Sequence, residues 1–233
     1  MIEIRKSEDR GVAEHGWLSS RHSFSFANYY DPKHMGFGPL QVINEDRVAP
    51  GRGFGAHGHS DMEIISYVLD GALEHKDSMG TGSVIRYGNV QRMSAGSGVV
   101  HSEFNHSQSE PVHFLQIWIQ PNVQRIAPSY EEKFFEPESK KGRWRLIASD
   151  NGRDGSVLIH QDASVFASIL DGDDTLEYRF TDRRCGYLHV ALGTVTVNGV
   201  SLQAGDAIKL VNEPQITVAN GDNAEILLFD LPL

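Results

Sequence analysis

Short runs of apolar and β-branched residues, separated by glycine and proline turns, constrain the fold of this chain more than any other feature. In the first half they include residues 40–43, 64–69 and 112–119. The second half continues with residues 157–160, 164–170, 175–180, 187–192, 194–198, 207–211, 216–219 and 225–231. Many short strands between turns indicate a β-sandwich or barrel. Val197-Asn198-Gly199-Val200 predicts a tight hairpin, because Asn-Gly favours the turn that such hairpins need. We therefore expect an all-β fold.

A break between residues 121 and 141 predicts two domains. This segment contains Pro121, Pro128 and Pro137 and the charged run at residues 130–133. Boundaries between domains fall in such proline-rich and polar stretches. We expect an N-terminal β-barrel domain at residues 1–130, a linker at 131–141 and a C-terminal β-barrel domain at 142–233.

Two pairs of possible ligand side chains, each with one residue between its members, predict a metal site. His57 and His59 follow a glycine-rich turn and precede the apolar run at residues 64–69, and His101 and Glu103 form the second pair. Alternate side chains of a strand point to the same side of the sheet. Two such pairs that converge inside a barrel would supply three imidazoles and one carboxylate.

The chemistry of these donors narrows the metal. Imidazole and carboxylate suit first-row transition ions such as Fe, Cu, Ni, Mn and Zn. The single Cys185 lies far away in the sequence, which disfavours a sulfur-rich zinc or iron–sulfur site. Four protein ligands on an octahedral ion leave two positions for substrate and oxygen. The competing interpretation of an isolated histidine pair is a solvated loop or hydrogen-bonded core histidines.

A weak internal repeat assigns the site to the first domain. The turns at Gly71 and Gly88 align with those at Gly193 and Gly205. The same offsets align the four candidate ligands with residues that are poor ligands for such metals, namely Arg179, Thr181, Val218 and Asn220. We therefore expect two related β domains and one metal ion per chain.

Composition excludes several classes of partner. The net charge of −10 disfavours direct binding to nucleic acid or to an anionic membrane surface, and no apolar run is long enough for a membrane span. One cysteine cannot form an internal disulfide and fits a reducing compartment. The first ten residues have no apolar segment typical of a secretory signal. We expect a monomeric cytoplasmic protein, for which a protein partner stays open.

The motifs resemble those of the pirin family of bicupins, and in particular the bacterial pirin-like quercetinases. The spacing from Gly51 through His57 and His59 to Glu63 is similar to the first cupin motif. The second motif departs from most cupins, with Ser94 where proline is usual, but the run from Met93 to Glu103 resembles the pirin form. The similarity extends over nearly the whole chain.

The resemblance implies a bicupin fold and a metal held by His57, His59, His101 and Glu103. It implies Fe(II) as the first choice of metal, with Cu, Mn, Ni or Zn as further possibilities. The implied reaction is the opening of a flavonol ring by O2 with release of carbon monoxide, as in quercetin 2,3-dioxygenase. Glu103 would then act both as a ligand and as the base for the flavonol proton, and Glu63 would support the site without binding the metal.

Other functions and roles stay open at this point. The chain could be a non-catalytic regulator whose metal state changes its binding to a protein partner, or a cupin isomerase or sugar-binding module. Candidate pocket walls are Phe24, Phe26, Phe54, Met93 and Phe114, although most such residues are ordinary barrel core. His75, His106 and His113 could support the site, but for His113 a core position is the better interpretation.

Overall fold

The computed structural model describes residues 1–233 and consists almost entirely of β-strands. The strands are β1 (Ile2–Arg5), β2 (Gly11–Glu14), β3 (Leu18–His22), β4 (Leu40–Val48), β5 (Gly53–His59), β6 (Glu63–Asp70), β7 (Ala72–Asp77), β8 (Gly82–Arg86), β9 (Asn89–Ser94), β10 (Val99–Asn105), β11 (Val112–Ile119), β12 (Ser129–Phe134), β13 (Arg145–Ser149), β14 (Val157–Leu158), β15 (Ser164–Arg179), β16 (Arg184–Val197), β17 (Val200–Gln203), β18 (Ala207–Val211) and β19 (Gln215–Pro232). Three short 3-10 helices lie at Ser7–Asp9, Pro137–Ser139 and Arg153–Gly155. The all-β prediction is confirmed.

The N-terminal unit comprises Gly11–Phe134 and Val157–Gln161. One of its sheets has the order β12-β9-β6-β11-β4-β3-β2, and the other has the order β5-β10-β7-β8. β11 lies between β4 and β6, and its apolar side chains are buried apart from Trp118. Side chains from both sheets meet in one core, which contains Leu18, Val48, Val68, Leu73, Ile85, Val112 and Phe114.

The C-terminal unit comprises Met1–Arg10, Phe135–Ser156 and Asp162–Leu233. Its strands follow the order β1-β18-β16-β19-β15-β13, and β17 pairs with β16. The predicted hairpin is confirmed, because Val197 pairs with Val200 and the turn residues Asn198 and Gly199 have φ angles of 47° and 80°. A separate apolar core lies in this unit and includes Leu188, Val190, Ile208, Ile226 and Leu228.

Three pairs of strands that we expected to be separate are single long strands. Residues 164–170 and 175–180 fall largely in β15, 187–192 and 194–198 in β16, and 216–219 and 225–231 in β19. The ladder shifts register at Gly172 and near Gly193, which have φ angles of 64° and 70°. Glycine at such a bulge bends a strand without ending it. At these positions, therefore, the glycine that indicates a turn in the sequence forms a bulge within a continuous strand.

The predicted linker at residues 131–141 contains the second half of β12 and the 3-10 helix Pro137–Ser139. The first ten residues belong to the C-terminal unit, because β1 pairs with β18. We keep the division into residues 1–130, 131–141 and 142–233 as a proposal about folding units, which limited proteolysis would test.

Gly53 provides a test of how closely β5 must approach β10. A Cβ atom at this position would lie 2.2 Å from the carbonyl oxygen of Glu103 and 2.5 Å from the Cα atom of Phe104. We expect Gly53→Ala to lower the free energy of unfolding by about 1–3 kcal/mol, because backbone atoms must shift to admit the methyl group. Denaturant unfolding of the metal-free protein measures the change. Gly55→Ala is the matched control on the same strand, since no heavy atom lies within 4 Å of a Cβ there. Equal losses in both variants would contradict the close-approach argument.

Candidate metal centre

Strands β5 and β10 carry all four candidate ligands and pair antiparallel. His101 lies directly opposite His57, and Val99 lies opposite His59. Along β10 the side chains of Val99, His101, Glu103 and Asn105 are buried, and the residues between them are more exposed. The two predicted period-2 pairs are therefore both in extended strands.

The register between β5 and β10 shifts at a bulge in β5, which lies between the pair formed by His101 and the pair formed by Glu103. His101 pairs with His57, but Glu103 pairs with Phe54, so that Gly55 and Ala56 together lie opposite Ser102. A bulge leaves backbone groups outside the regular ladder. The Gly55 carbonyl oxygen lies 2.7 Å from Nδ1 of His57. Because a carbonyl only accepts, Nδ1 of His57 carries the proton and Nε2 keeps its lone pair.

The three imidazoles of His57, His59 and His101 converge. Their ring centroids are 4.5 to 4.9 Å apart, and one ligand atom from each lies within 4.8 Å of the others. Nε2 of His57 and Nε2 of His101 are 3.1 Å apart. Two facing ring nitrogens at this distance are stabilised by a shared proton or by a shared cation.

Glu103 lies beside His101 in a second group of possible ligands, together with His75. The side chain of Glu103 is 1% exposed. Its Oε1 atom accepts a hydrogen bond from Ser66 (3.1 Å), and its Oε2 atom accepts one from Gln116 (2.5 Å). The structure thus brings together three of the four predicted ligands in one group and links the fourth to them through His101.

Sequence reasoning raised His75 only as a supporting residue and missed Asp77. His75 lies opposite Glu103 on β7, and its Nε2 atom is 3.0 Å from Oδ2 of Asp77. Both side chains are fully buried, and the His75 ring packs against Tyr130 with a centroid distance of 5.0 Å. The His-x-Asp spacing along β7 is the signal that could have indicated this pair.

Burial and mutual repulsion keep two of the imidazoles neutral. Burial lowers the pKa of His101 to about 3, with further contributions from His57, His59 and His75. Burial also lowers the pKa of His59 to about 4, assisted by His57. Burial raises the pKa of Glu103, opposed by His75 and by the hydrogen bonds from Gln116 and Ser66. Neutral imidazole is the form that binds a metal ion.

A cavity of about 440 Å³ adjoins the site, within the range of about 300–1,000 Å³ for small-molecule sites. His57, His59 and Glu103 line it, together with the polar residues Ser20, His22, Asn44, Asp46 and Gln116 and the apolar residues Trp17, Leu18, Phe26, Phe54 and Trp118.

Of the five predicted wall residues, Phe26 and Phe54 line the cavity. Phe114 belongs to the core between the sheets, Met93 packs with Ile64 and Ala95, and Phe24 is buried. The core position is thus the outcome for most of them, as the burial tendencies of these residue types predict.

Glu63 lies at the start of β6, and both of its oxygens have partners. Ser94 donates to Oε2 at 2.8 Å, and Nδ1 of His160 lies 3.2 Å from Oε1. Glu63 and Ser94 are register partners on β6 and β9, so this contact closes the end of the strand pair. The contact between His160 and Glu63 has no motif in the sequence that could have indicated it.

The remaining candidate histidines have partners outside both ligand groups. Nε2 of His113 is 3.0 Å from a carboxylate oxygen of Glu45, and Nδ1 of His106 is 3.1 Å from one of Glu74. His113 is thus a paired histidine on β11, and its side chain is 12% exposed rather than fully in the core. His106 is partly exposed at the surface.

The donor atoms fit a divalent metal. His57 has the tautomer that leaves Nε2 free for coordination, and the hydrogen bond to Gly55 fixes the ring as supporting residues do in metal proteins. Nε2 of His59 is buried without a hydrogen-bond partner, and Nε2 of His101 lies 3.1 Å from Nε2 of His57. Nitrogen and oxygen donors without sulfur suit borderline first-row ions.

Comparison with known proteins agrees with the fold. A family model described as Pirin matches residues 4–119, and one described as Quercetinase C-terminal cupin domain matches residues 146–231. A protein named quercetin 2,3-dioxygenase from Escherichia coli K12 is 45% identical over 232 residues, which cover 100% of this chain and 99% of that protein. The chain belongs to the pirin family. A pirin-like protein from Caulobacter vibrioides is 43% identical over 231 residues, covering 99% of both chains.

Solved pirin structures extend the match to three dimensions. The crystal structure of a bacterial pirin from Escherichia coli in complex with nickel(II) superposes with a TM-score of 0.95 at 44% identity, covering 100% of this chain and 99% of that one. The predicted bicupin architecture is therefore confirmed. None of the helices in this pirin is long and apolar enough to cross a bilayer.

Substitution of a single histidine tests the ligand assignment. We expect His57→Ala and His101→Ala each to abolish stoichiometric metal binding while circular dichroism stays that of the parent, because the strand ladders remain. His106→Ala is the matched control, since this histidine lies outside both ligand groups and is partly exposed. Metal content by elemental analysis is the measurement. A stoichiometric ion in His57→Ala or His101→Ala would show that the assignment is wrong.

The lowered pKa values predict how pH affects the metal-free protein. As pH falls below 6.5 the unfolded chain protonates both histidines, while the folded protein keeps His59 neutral down to about pH 4 and His101 neutral down to about pH 3. Their contribution to stability is therefore present above pH 6.5 and is lost as pH falls through this window. Denaturant unfolding at pH 7, 6 and 5 measures the loss. A variant that combines His59→Asn with His101→Asn should lose less stability over the same range, and an unchanged slope would contradict the prediction.

Proposed function

We propose that this pirin is a metal-dependent dioxygenase of the quercetin 2,3-dioxygenase type. It would open the central ring of a flavonol with O2 and release carbon monoxide. The observation that carries the proposal is the convergence of three imidazoles, two of which line a cavity that is also lined by aromatic rings and by Glu103. The relative named quercetin 2,3-dioxygenase, at 45% identity over the whole chain, supports the same reaction.

The proposed ligands are His57, His59, His101 and Glu103. Fe(II) is our first choice of metal, and Cu, Mn, Ni and Zn are further candidates, of which nickel(II) is bound by the Escherichia coli pirin. When bound, the metal supplies Lewis-acid polarisation of the substrate oxygen and a template for the reaction with O2.

The residues of the chain would perform the remaining tasks. Glu103 would take the proton of the flavonol hydroxyl group, since a carboxylate that lines the cavity is within reach of a bound substrate. Ser66 and Gln116 use one lone pair on each oxygen of Glu103, which orients the carboxylate and leaves further lone pairs for a proton. The rings of Trp17, Phe54 and Trp118 would exclude water from the activated substrate.

Flavonol and O2 are the proposed partners, and we also propose a cytoplasmic monomer. Cys185 is a free, buried thiol, which is stable in a reducing compartment. Burial raises the pKa of this thiol to about 11, and the thiol form reacts slowly with oxidants. Light scattering would test the monomer, and cell fractionation the compartment.

Metal analysis followed by an oxygen-uptake assay tests the function. We expect protein that is purified without added ions to carry one first-row transition metal per chain, and to consume O2 and release carbon monoxide when quercetin is added. A stoichiometry of two would contradict the single site. Absence of oxygen uptake with any flavonol, in protein loaded with iron, copper, manganese or nickel, would favour the regulator over the enzyme.

Substitution of Glu103 tests its role as the base. Glu103→Gln keeps an oxygen for the metal and the size of the side chain, but it removes charge and basicity. At matched metal occupancy, flavonol turnover should fall about 10²–10⁴-fold, which is the usual contribution of a general base. Glu63→Gln is the control, because Glu63 is equally buried but outside the cavity lining. If fully metallated Glu103→Gln has the parent rate, Glu103 is only a ligand.

A further inference from the structure

A row of buried polar side chains crosses the inner face of the larger sheet in the N-terminal unit. The register pairs His22 with Asn44, Asn44 with Gln116, Gln116 with Ser66, and Ser66 with Gln91. Side chains of register partners lie on the same face, about 4.5–5.5 Å apart at Cβ. All five members of this polar row are at least nine-tenths buried.

The two residues in the middle of the polar row bind the carboxylate of Glu103. Ser66 and Gln116 both donate to this carboxylate, and the Gln116 carbonyl oxygen accepts from the indole of Trp118 at 3.3 Å. The amide of Gln116 is therefore oriented from both ends. These contacts support the metal centre and do not involve Asn44, the next member of the row.

Asn44 lies next to Gln116 and has a different environment. Its side chain is 3% exposed and lines the cavity, and its Oδ1 atom is buried without a hydrogen-bond partner. A buried acceptor without a partner is unfavourable unless a ligand donates to it. Asp46, two residues along β4 on the same face, also lines the cavity and accepts a hydrogen bond from Ser20.

We propose that Asn44 and Asp46 form an acceptor subsite that recognises the hydroxyl groups of a polyhydroxylated aromatic substrate. This inference deepens the proposed function and rests on it for the identity of the substrate as a flavonol. The buried amide oxygen of Asn44 requires a hydrogen-bond donor from the ligand, and the carboxylate of Asp46, which accepts from Ser20, adds a second acceptor group to the same cavity wall. Phenolic hydroxyl groups provide donors on a flat ring that fits between the aromatic walls, and phenol–carboxylate hydrogen bonds are among the stronger ones.

The subsite also predicts what the cavity rejects. Methyl ethers have no donor and would leave the Asn44 oxygen without a partner, and an anionic group would be repelled by Asp46. The subsite lies on β4, next to Gln116 on β11, which orients Glu103. The ligand's hydroxyl groups would therefore point to the wall of the cavity that β3 and β4 form. Asn44 and Asp46 are thus specificity-determining residues, whereas the metal ligands and Glu103 act at the reacting ring.

Equilibrium binding to the metal-loaded protein without oxygen tests the subsite independently of turnover. The probes are quercetin, whose pendant ring carries hydroxyl groups, and the flavonol that lacks them, and the readout is quenching of the fluorescence of Trp17 and Trp118, which line the cavity. We expect the parent protein to bind quercetin at least about tenfold more tightly, because a site built around hydrogen bonds rejects a ligand that cannot make them.

Two variants assign that preference to the proposed residues. Asn44→Leu removes the acceptor at similar size, and Asp46→Asn removes the charge. Each should weaken quercetin binding about tenfold and leave binding of the flavonol without pendant-ring hydroxyl groups within about twofold of the parent. Asn122→Leu, at an exposed loop position outside the cavity lining, is the control and should bind both probes like the parent. Metal content and circular dichroism verify that each variant is folded and loaded.

The outcomes separate this proposal from the proposed function. Equal affinity of the parent for the two flavonols overturns the subsite, and so does a preference that persists in both variants, since chelation of the metal by the pendant ring would then explain it. Equal weakening of both probes in Asn44→Leu and Asp46→Asn indicates only a structural role and also overturns it. Preferential binding without turnover supports the subsite and contradicts the dioxygenase. Binding of neither flavonol contradicts both proposals.

Discussion

The antiparallel pairing of β5 with β10 is the constraint on which the rest of the site depends. It brings His57 opposite His101, and the bulge at Gly55 and Ala56 then allows Glu103 to lie opposite Phe54. The absence of a side chain at Gly53 allows the two strands to approach closely on the glutamate side of the bulge. A slip of one residue would move each strand's inward side chains to the opposite face. The ligand group is therefore a consequence of strand register.

The inner face of the larger sheet in the N-terminal unit combines an apolar core with a row of polar groups. Burial of polar atoms is unfavourable unless they find partners, and a partly satisfied network is more costly than an apolar one. Ser66 and Gln116 meet this requirement through Glu103. Asn44 does not meet it within the protein. Ser66 and Gln116 thus support the carboxylate, whereas the oxygen of Asn44 lies at the cavity, where a ligand can donate to it. Gln91 also has a buried oxygen without a partner, but it lies outside the cavity lining.

Much of the fold was predictable from the sequence because period-2 patterns and turn residues are local signals. The strand positions of His57, His59, His101 and Glu103 followed from their spacing, and the Asn198-Gly199 hairpin followed from its turn residues. The long strands β15, β16 and β19 were not predictable in this way, because glycine marks both a turn and a bulge.

The site was less predictable than the fold, because its supporting contacts are non-local. Ser66 and Gln116 each interrupt an apolar strand, which is a signal of a buried polar role. That signal does not identify the partner, since Ser66 is 37 residues away from Glu103 in the sequence. The pairing of His75 with Glu103 depends on the register of β7 against β10, which no local pattern specifies.

The two ligand groups share His101, and their protonation states favour a cation between them. His75 directs Nε2 to Asp77, which as a carboxylate accepts the proton and leaves Nδ1 of His75 as a buried lone pair without a partner. Nε2 of His57 is a second lone pair, because Nδ1 donates to Gly55. Nε2 of His57 lies 3.1 Å from Nε2 of His101, and the His75 ring lies beside the His101 ring with a centroid distance of 5.4 Å. The neighbouring Glu103 carboxylate also only accepts when ionised. Acceptors that converge in this way repel one another without a positive charge, and one protonated imidazole is disfavoured because burial lowers the pKa of His101 to about 3. A divalent ion held by His57, His59, His101 and Glu103 would use the lone pair of His57 at neutral pH without protonating any imidazole, which is the physical reason why this arrangement suits a metal better than a hydrogen-bonded histidine cluster.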